Sequence, residues 1–483
     1  MKKSQILSLL ALSLTTLWGV SSAQDTDSSV RFLPVSLISQ FDVGQIEKGE
    51  LYPGEQILPG DQLNGNFIQR TGVWITQSAI VNNRLHLTMG VGGLFWYPLP
   101  SDPTNPATQI TQFGPGISQA QATYTFGNLD HPAATLQMGY FPYKYNPDAK
   151  DLGEFLFRSG TYPNYIEAGG GWNMIADANY MVEGFRLNFS GWDNRLSLDL
   201  LMPLEHDVPP MYDLSPSAVV SVKPVAGLEL GAGIDCNHCI AIKPSVESPH
   251  LPQNQVITGL KIDSSQVVFD TNKTTGKVTV DPSCYSNCFY TYTYSRDTSS
   301  YYTFQGIKLM GRASFDPKAY VPMPILGAED LKLYAEFAVL GVKDYPYLYN
   351  DIFKRMPVMF GINLPTFKLL DVLSFELEYF NSNLPNSTLN PINSQLPLPD
   401  ILGSAGSVTQ QNIDAYNNTV SGGKWKWSVY GVRQIIKGIQ VYAQVANDDI
   451  RTIDFTAGAL PTYAPVTDRP SDWYYLIRLQ VGI

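Results

Sequence analysis

The chain has 483 residues, with 32 Lys and Arg against 43 Asp and Glu, and a formal net charge of -11. This acid excess argues against a nucleic-acid partner, whose binding rests on Lys and Arg contacts with phosphate. Charged residues make up only 16% of the chain, against 44% apolar and 12% aromatic, whereas a water-soluble domain carries roughly one quarter charged.

At the start, Lys2 and Lys3 form a basic region, Ile6 to Leu17 an apolar one broken only by Ser and Thr, and Ser21-Ser22-Ala23 a small-residue cleavage site before Gln24. Residues 1–23 therefore read as a secretory signal peptide. No Cys follows the apolar stretch, which argues against a lipid anchor, and the stretch is short for a membrane anchor. Residues 24–483 carry no charge block, Pro/Ser-rich linker or fixed-period repeat, and read as one unit. No later run approaches the ~18 apolar residues of a helical span. In lipid, backbone amides must pair within the protein, so a chain without apolar helices can cross only as a closed barrel. The mean hydropathy of -0.09 agrees, since barrel strands bury only alternate side chains in lipid. Composition by itself leaves a secreted β-sandwich open.

Period-2 alternation marks sixteen segments. They lie at 30–39, 66–80, 83–97, 117–126, 133–143, 183–190, 195–202, 218–224, 227–235, 302–315, 331–342, 357–364, 372–381, 425–436, 439–447 and 472–483. The connections alternate long and short. Tight ones fall at Val81-Asn82-Asn83, Gly127 to Pro132, Gly191 to Asn194, Pro224-Val225-Ala226 and Lys437-Gly438, with 316–330 an awkward member of that set. Long ones cover 40–65, 98–116, 144–182, 236–301, 382–424 and 448–471. An even strand count brings the last strand back to the first, so no edge remains.

The chain ends on "DWYYLIRLQVGI". Tyr475, Ile477, Leu479, Val481 and Ile483 share one face, while Tyr474, Leu476, Arg478, Gln480 and Gly482 share the other. With this strand the chain resembles Gram-negative outer-membrane β-barrels of the sixteen-stranded porin type. In that family the last strand usually ends in an aromatic residue and is read by the barrel assembly machinery; here Ile483 replaces the aromatic. The resemblance implies an all-β fold, a closed antiparallel transmembrane barrel of about 16 strands with short periplasmic turns and long extracellular loops. It also implies contact with outer-membrane lipid and lipopolysaccharide, and a homotrimer.

A Lys or Arg facing lipid at mid-bilayer costs about 2–4 kcal/mol, so charges should face the lumen and their alternates the lipid. On that rule Leu85, Leu87, Met89, Phe185, Leu187, Phe189, Leu196, Leu198, Leu200, Met202, Ile307 and Leu309 face out. The lumen-lining candidates are Arg84, His86, Arg186, Arg195, Asp199, Lys308, Arg312, Lys332, Glu336, Glu376, Glu378 and Arg478, joined by Glu229. They lean slightly basic, which points to a mild anion preference. Pairing of these charges across neighbouring strands is the alternative, and a soluble sandwich would put the apolar face in a core.

The loop 144–182 contains "DLGEFLFRSGTYPNYIEAGGGWNM". In porins the loop at this position folds into the barrel, and the resemblance makes Asp151, Glu154, Arg158, Glu167 and Asp177 constriction candidates. Phe155 and Phe157 are expected against the wall, with Glu154 and Arg158 in water; a surface loop with its own apolar cluster is the alternative. Cys236, Cys239, Cys284 and Cys288 all fall in the loop 236–301. Export favours disulfides over a zinc site built with His238, and the pairing is not readable from spacing. No nucleophile–base constellation, phosphate loop or metal motif appears, so neither an enzyme nor a cofactor or metal is expected. Two functions stay open: a passive channel for small hydrophilic solutes or ions, and a blocked structural or adhesive barrel that acts through its surface loops.

Overall fold

A computed structural model describes residues 30–49, 64–96, 112–129, 132–161, 165–168, 180–205, 212–242, 305–321, 323–344, 351–382, 424–450, 465–467 and 469–483, together with short segments in 256–295, 349, 386 and 453–461. Sixteen long strands form the wall. They are β1 (Ser36–Lys48), β2 (Asn66–Val81), β3 (Leu85–Trp96), β4 (Gln112–Gly127), β5 (Pro132–Tyr143), β6 (Tyr180–Gly191), β7 (Leu196–Pro203) and β8 (Ser217–Val225). There follow β9 (Leu228–Asn237), β10 (Gly306–Phe315), β11 (Leu333–Leu340), β12 (Val358–Asn363), β13 (Val372–Tyr379), β14 (Trp425–Ile436), β15 (Ile439–Asn447) and β16 (Trp473–Gly482).

Each strand pairs antiparallel with the next, and β16 pairs with both β15 and β1. The sheet is thus a closed barrel, with every wall strand hydrogen-bonded on both edges. An additional short strand, Val30–Phe32, lies beside the end of β2, with Phe32 opposite Ala79. The first strand is longer than its sequence pattern indicates. It breaks at Leu33-Pro34-Val35 and then runs on to Lys48, where the alternation in sequence predicts a loop from residue 40. The reason is that Gln40 and Asp42 are lumen residues of a strand whose outer alternates are Phe41 and Val43.

The tight turn after β2 is built from residues that tolerate left-handed backbone. Asn82 and Asn83 sit at φ 50° and 57°, with Arg84 N donating to Val81 O at 3.1 Å; Asn is among the few residues that adopt this region readily. The connection after β10 is also local: Asp316 caps a 3-10 turn at Pro317–Ala319, and Asp330 accepts from Gly327 N at 2.8 Å and Thr366 Oγ1 at 3.0 Å.

The two faces of the wall separate as the alternation requires. Phe41, Leu87, Met89, Phe185, Phe189, Leu200, Ile307, Leu309, Phe360, Ile477 and Leu479 are exposed on the outside. Leu198 and Met202 lie on the same outer register as Leu200. No second sheet covers these residues among the described ones, which removes the sandwich reading. Among the described residues no helix is long and apolar enough to cross a membrane. The apolar core lies inside the barrel, where Leu152, Phe155, Leu156 and Ile166 from the 144–168 segment pack against Phe141, Val182, Leu201, Val219, Met310, Tyr334 and Met359 of the wall.

Candidate functional site

Residues 144–161 and 165–168 run inside the barrel and pack against wall strands from β5 to β13. Two wall carboxylates hold them there. Glu376 on β13 accepts backbone N–H groups from Lys150 (2.6 Å), Asp151 (2.9 Å) and Leu152 (2.7 Å), as well as the Tyr334 hydroxyl (2.7 Å). Glu336 on β11 accepts from the Tyr145 hydroxyl (2.7 Å), Asn146 Nδ2 (2.7 Å) and Phe155 N (2.9 Å). Charged acceptors strengthen such bonds, so two side chains satisfy a run of amides that a loop away from water would otherwise leave orphaned. The backbone also approaches the wall closely at Gly153. There φ is +80° and a Cβ would lie 2.5 Å from Met359 Cε, so a larger residue would lift the segment.

The segment's single helical turn, α1 (Phe155–Arg158), is held from the other side by Lys308 on β10, whose Nζ donates to Leu156 O and, at 2.7 Å, to Ser159 O. Arg158 turns inward, donating to Gly153 O at 2.5 Å and to Glu167 O. The expected split, with Glu154 and Arg158 pointing into water, is not what forms. Both are buried, at 2% and 1% exposure, like Phe155. Backbone carbonyls and wall charges gather around Arg158, and α1 is too short to present a separate polar face. Burial, then the charge of Glu336, raises Glu154 to about 7 against an opposing Lys144. Burial and the neighbouring Asp151 likewise push Asp448, just past β15, well above the usual carboxylate range.

The lumen-lining candidates other than Arg478 fall into three overlapping groups. Glu336, Glu376 and Lys308 bind the inserted segment, and Glu378 lies buried beside them. Others are paired on the wall: Arg186 Nε with Asp199 at 2.8 Å, Arg312 with Glu229 at 2.5 Å, Lys308 with Asp235 at 3.1 Å, and Lys332 with Glu329 at 2.7 Å and Asp148 at 3.5 Å. Arg84, His86 and Arg195 lie near the tight-turn rim; Arg84 donates to Gly127 O at 2.7 Å, while His86 and Arg195 are exposed.

Arg478 belongs to a constellation that the sequence reading missed. Asp42 lies opposite Arg70 on β2 and opposite Arg478 on β16, at 2.8 and 2.9 Å, and also accepts from Gln40. Continuing the lumen alternation through Gln40, Asp42 and Gly44 would have found it.

Asp177, Cys284 and Cys288 lie outside the described residues. Cys236 and Cys239 form a disulfide. His238 Nδ1 lies 3.2 Å from Asp213 Oδ2, and among the described residues no group of three or more metal-ligating side chains converges.

No protein-family model matches the chain, and no curated protein matches it. Among solved structures, the chain is similar to a mutant of the porin of Rh. blastica, at 7% identity and a TM-score of 0.40, covering 94% of this chain and 100% of that one. A second mutant of that porin matches at 8% and 0.40, and a triple mutant of Rhodopseudomonas blastica porin at 7% and 0.38, with the same coverage. The closed barrel rests on the strand pairing itself rather than on these distant likenesses.

Proposed function

We propose that the protein is a porin-type channel of the outer membrane that passes small hydrophilic solutes by passive diffusion. It is exported on residues 1–23, handed to the assembly machinery through its last strand, and assembled as a homotrimer among lipid and lipopolysaccharide. One observation carries the reading. The inserted segment occupies part of the lumen, where Glu336 and Glu376 are 1% and 0% exposed, while Gln121, Thr123, Gln137 and Asn188, toward the tight-turn ends of β4, β5 and β6, stay partly open to solvent. A polar lumen narrowed from one side retains a path for water. In this scheme Asp151, Glu154, Arg158 and Glu167 act by holding the constriction in place, and no chemical step is required.

Single-channel recording in a planar bilayer tests the reading. Steady conductance from the folded protein is expected, together with altered current in Arg158→Ala. Folded protein, identified by a heat-dependent gel shift, that never conducts would favour the blocked surface barrel, a reading to which the long 238–305 connection lends some weight.

A further inference from the structure

Three consecutive strands, β3, β4 and β5, contain no Asp, Glu, Lys or Arg along their whole length. Toward their tight-turn ends the lumen faces carry amides and hydroxyls together with His86, while Phe141 and Tyr143 of β5 lie under the inserted segment; the same chemistry continues at both margins, with Ser78 on β2 and Asn188 on β6. These side chains are linked to one another. Gln137 Nε2 donates to Gln121 Oε1 at 2.5 Å, the hydroxyls of Ser78 and Thr88 lie 3.0 Å apart, and Asn188 Nδ2 donates to Ser197 Oγ at 3.0 Å. Thr123 stands opposite Gln137 and His86 in the strand register. Ser78, Gln121, Thr123, Gln137 and Asn188 are all partly exposed, unlike the charged wall beneath the inserted segment.

Charge in this barrel is therefore segregated. On the segment side Glu336, Glu376, Lys308 and Arg158 are buried and held in contacts with or within the inserted segment; at the margin of the open side Arg186, 3.4 Å from Gln137 Oε1, is neutralised by Asp199, which also accepts from Asn188 at 2.8 Å. An ion passing along β3–β5 meets no Asp, Glu, Lys or Arg on these strands, and at their margin only the mutually neutralised Arg186–Asp199 pair, to replace its hydration. A hydroxyl-bearing solute fares better, because Ser, Thr, Gln and Asn groups both donate and accept and can exchange a neighbour's hydrogen bond for one to the solute.

We infer that the β3–β5 wall is a track for neutral polyhydroxylated solutes, so that the channel favours uncharged polyols and sugars over ions of similar size. The inference rests on the diffusion-channel reading and specifies its solute class.

Full-length protein in vesicles would be tested for flux of xylitol against size-matched xylonate, with ion selectivity read from a salt gradient in planar bilayers. Xylitol is expected to cross about five-fold faster, with K+ and Cl- permeabilities within about two-fold of each other. In Gln121→Leu/Gln137→Leu, xylitol flux should fall about three-fold while current persists. In the near-isosteric Gln121→Glu/Gln137→Glu, current should turn toward K+. Conducting protein that passes xylonate as readily as xylitol, or whose xylitol flux and ion selectivity ignore both double variants, overturns the track but leaves the channel standing. Folded wild-type protein without current overturns the channel reading and the track with it.

Discussion

Asp42 on the first strand and Arg478 on the last face each other across the closing seam of the barrel, with Arg478 Nε 2.9 Å from Asp42 Oδ1 and Arg478 Nη2 3.1 Å from Asp42 Oδ2. The same carboxylate meets Arg70 on the opposite side, so one buried anion between two buried cations joins three strands. Removing one member of such a group leaves uncompensated charge in a place water does not reach.

Asp42→Ala should therefore destabilise the barrel by about 3–5 kcal/mol, through the two arginines it strands. Urea titration in micelles, read by the heat-dependent gel shift, would measure the loss. A change under ~1 kcal/mol would mean that water already screens the seam.

Glu376→Gln should loosen the inserted segment without unfolding the wall. The neutral amide offers only one acceptor oxygen to the three backbone donors at Lys150, Asp151 and Leu152. Weakening of about 1–3 kcal/mol is expected, seen as faster protease cleavage within 144–168 and noisier open-channel current.

Docking of that segment should depend on pH. Glu154 is raised to about 7 from an ordinary value near 4.5 and Asp448 is raised as well, so the docked state binds more protons than a released, solvated one. Docking is thus strongest at low pH, weakens as pH climbs from about 4.5 through about 7, and for Glu154 levels off above, by roughly 3 kcal/mol in total. Protease cleavage of the segment at a series of pH values would follow this course. Glu154→Gln should flatten much of the profile, and an unchanged profile would exclude Glu154 as its source.

Leu198→Arg places a cation on the outer face and should cost about 2–4 kcal/mol if that face meets hydrocarbon at mid-bilayer. Asn188→Arg, one strand away on the lumen face, should be far milder. Folding yields into vesicles compare the two directly. Equal yields would contradict a lipid-facing exterior.

Sequence alone determined most of the wall, the stretch from Gln40 to Lys48 excepted. Sixteen strands, their alternating connections and the sides of Leu85, Leu198, Lys308, Glu336 and Leu479 were legible because the signal is local: successive strand side chains point to opposite faces, and only one face tolerates charge. Tertiary structure decided which of the inward charges meet water. Glu376 is spent on the backbone of Lys150, 226 positions away, and Glu336 on Tyr145, 191 positions away. Asp42 and Arg478 become partners only when the ends of the chain meet. No pattern along a strand encodes these meetings, since each depends on the path of a loop through the barrel or on closure of the ring, and there burial and hydrogen bonding reassign the role of a side chain whose direction was already known.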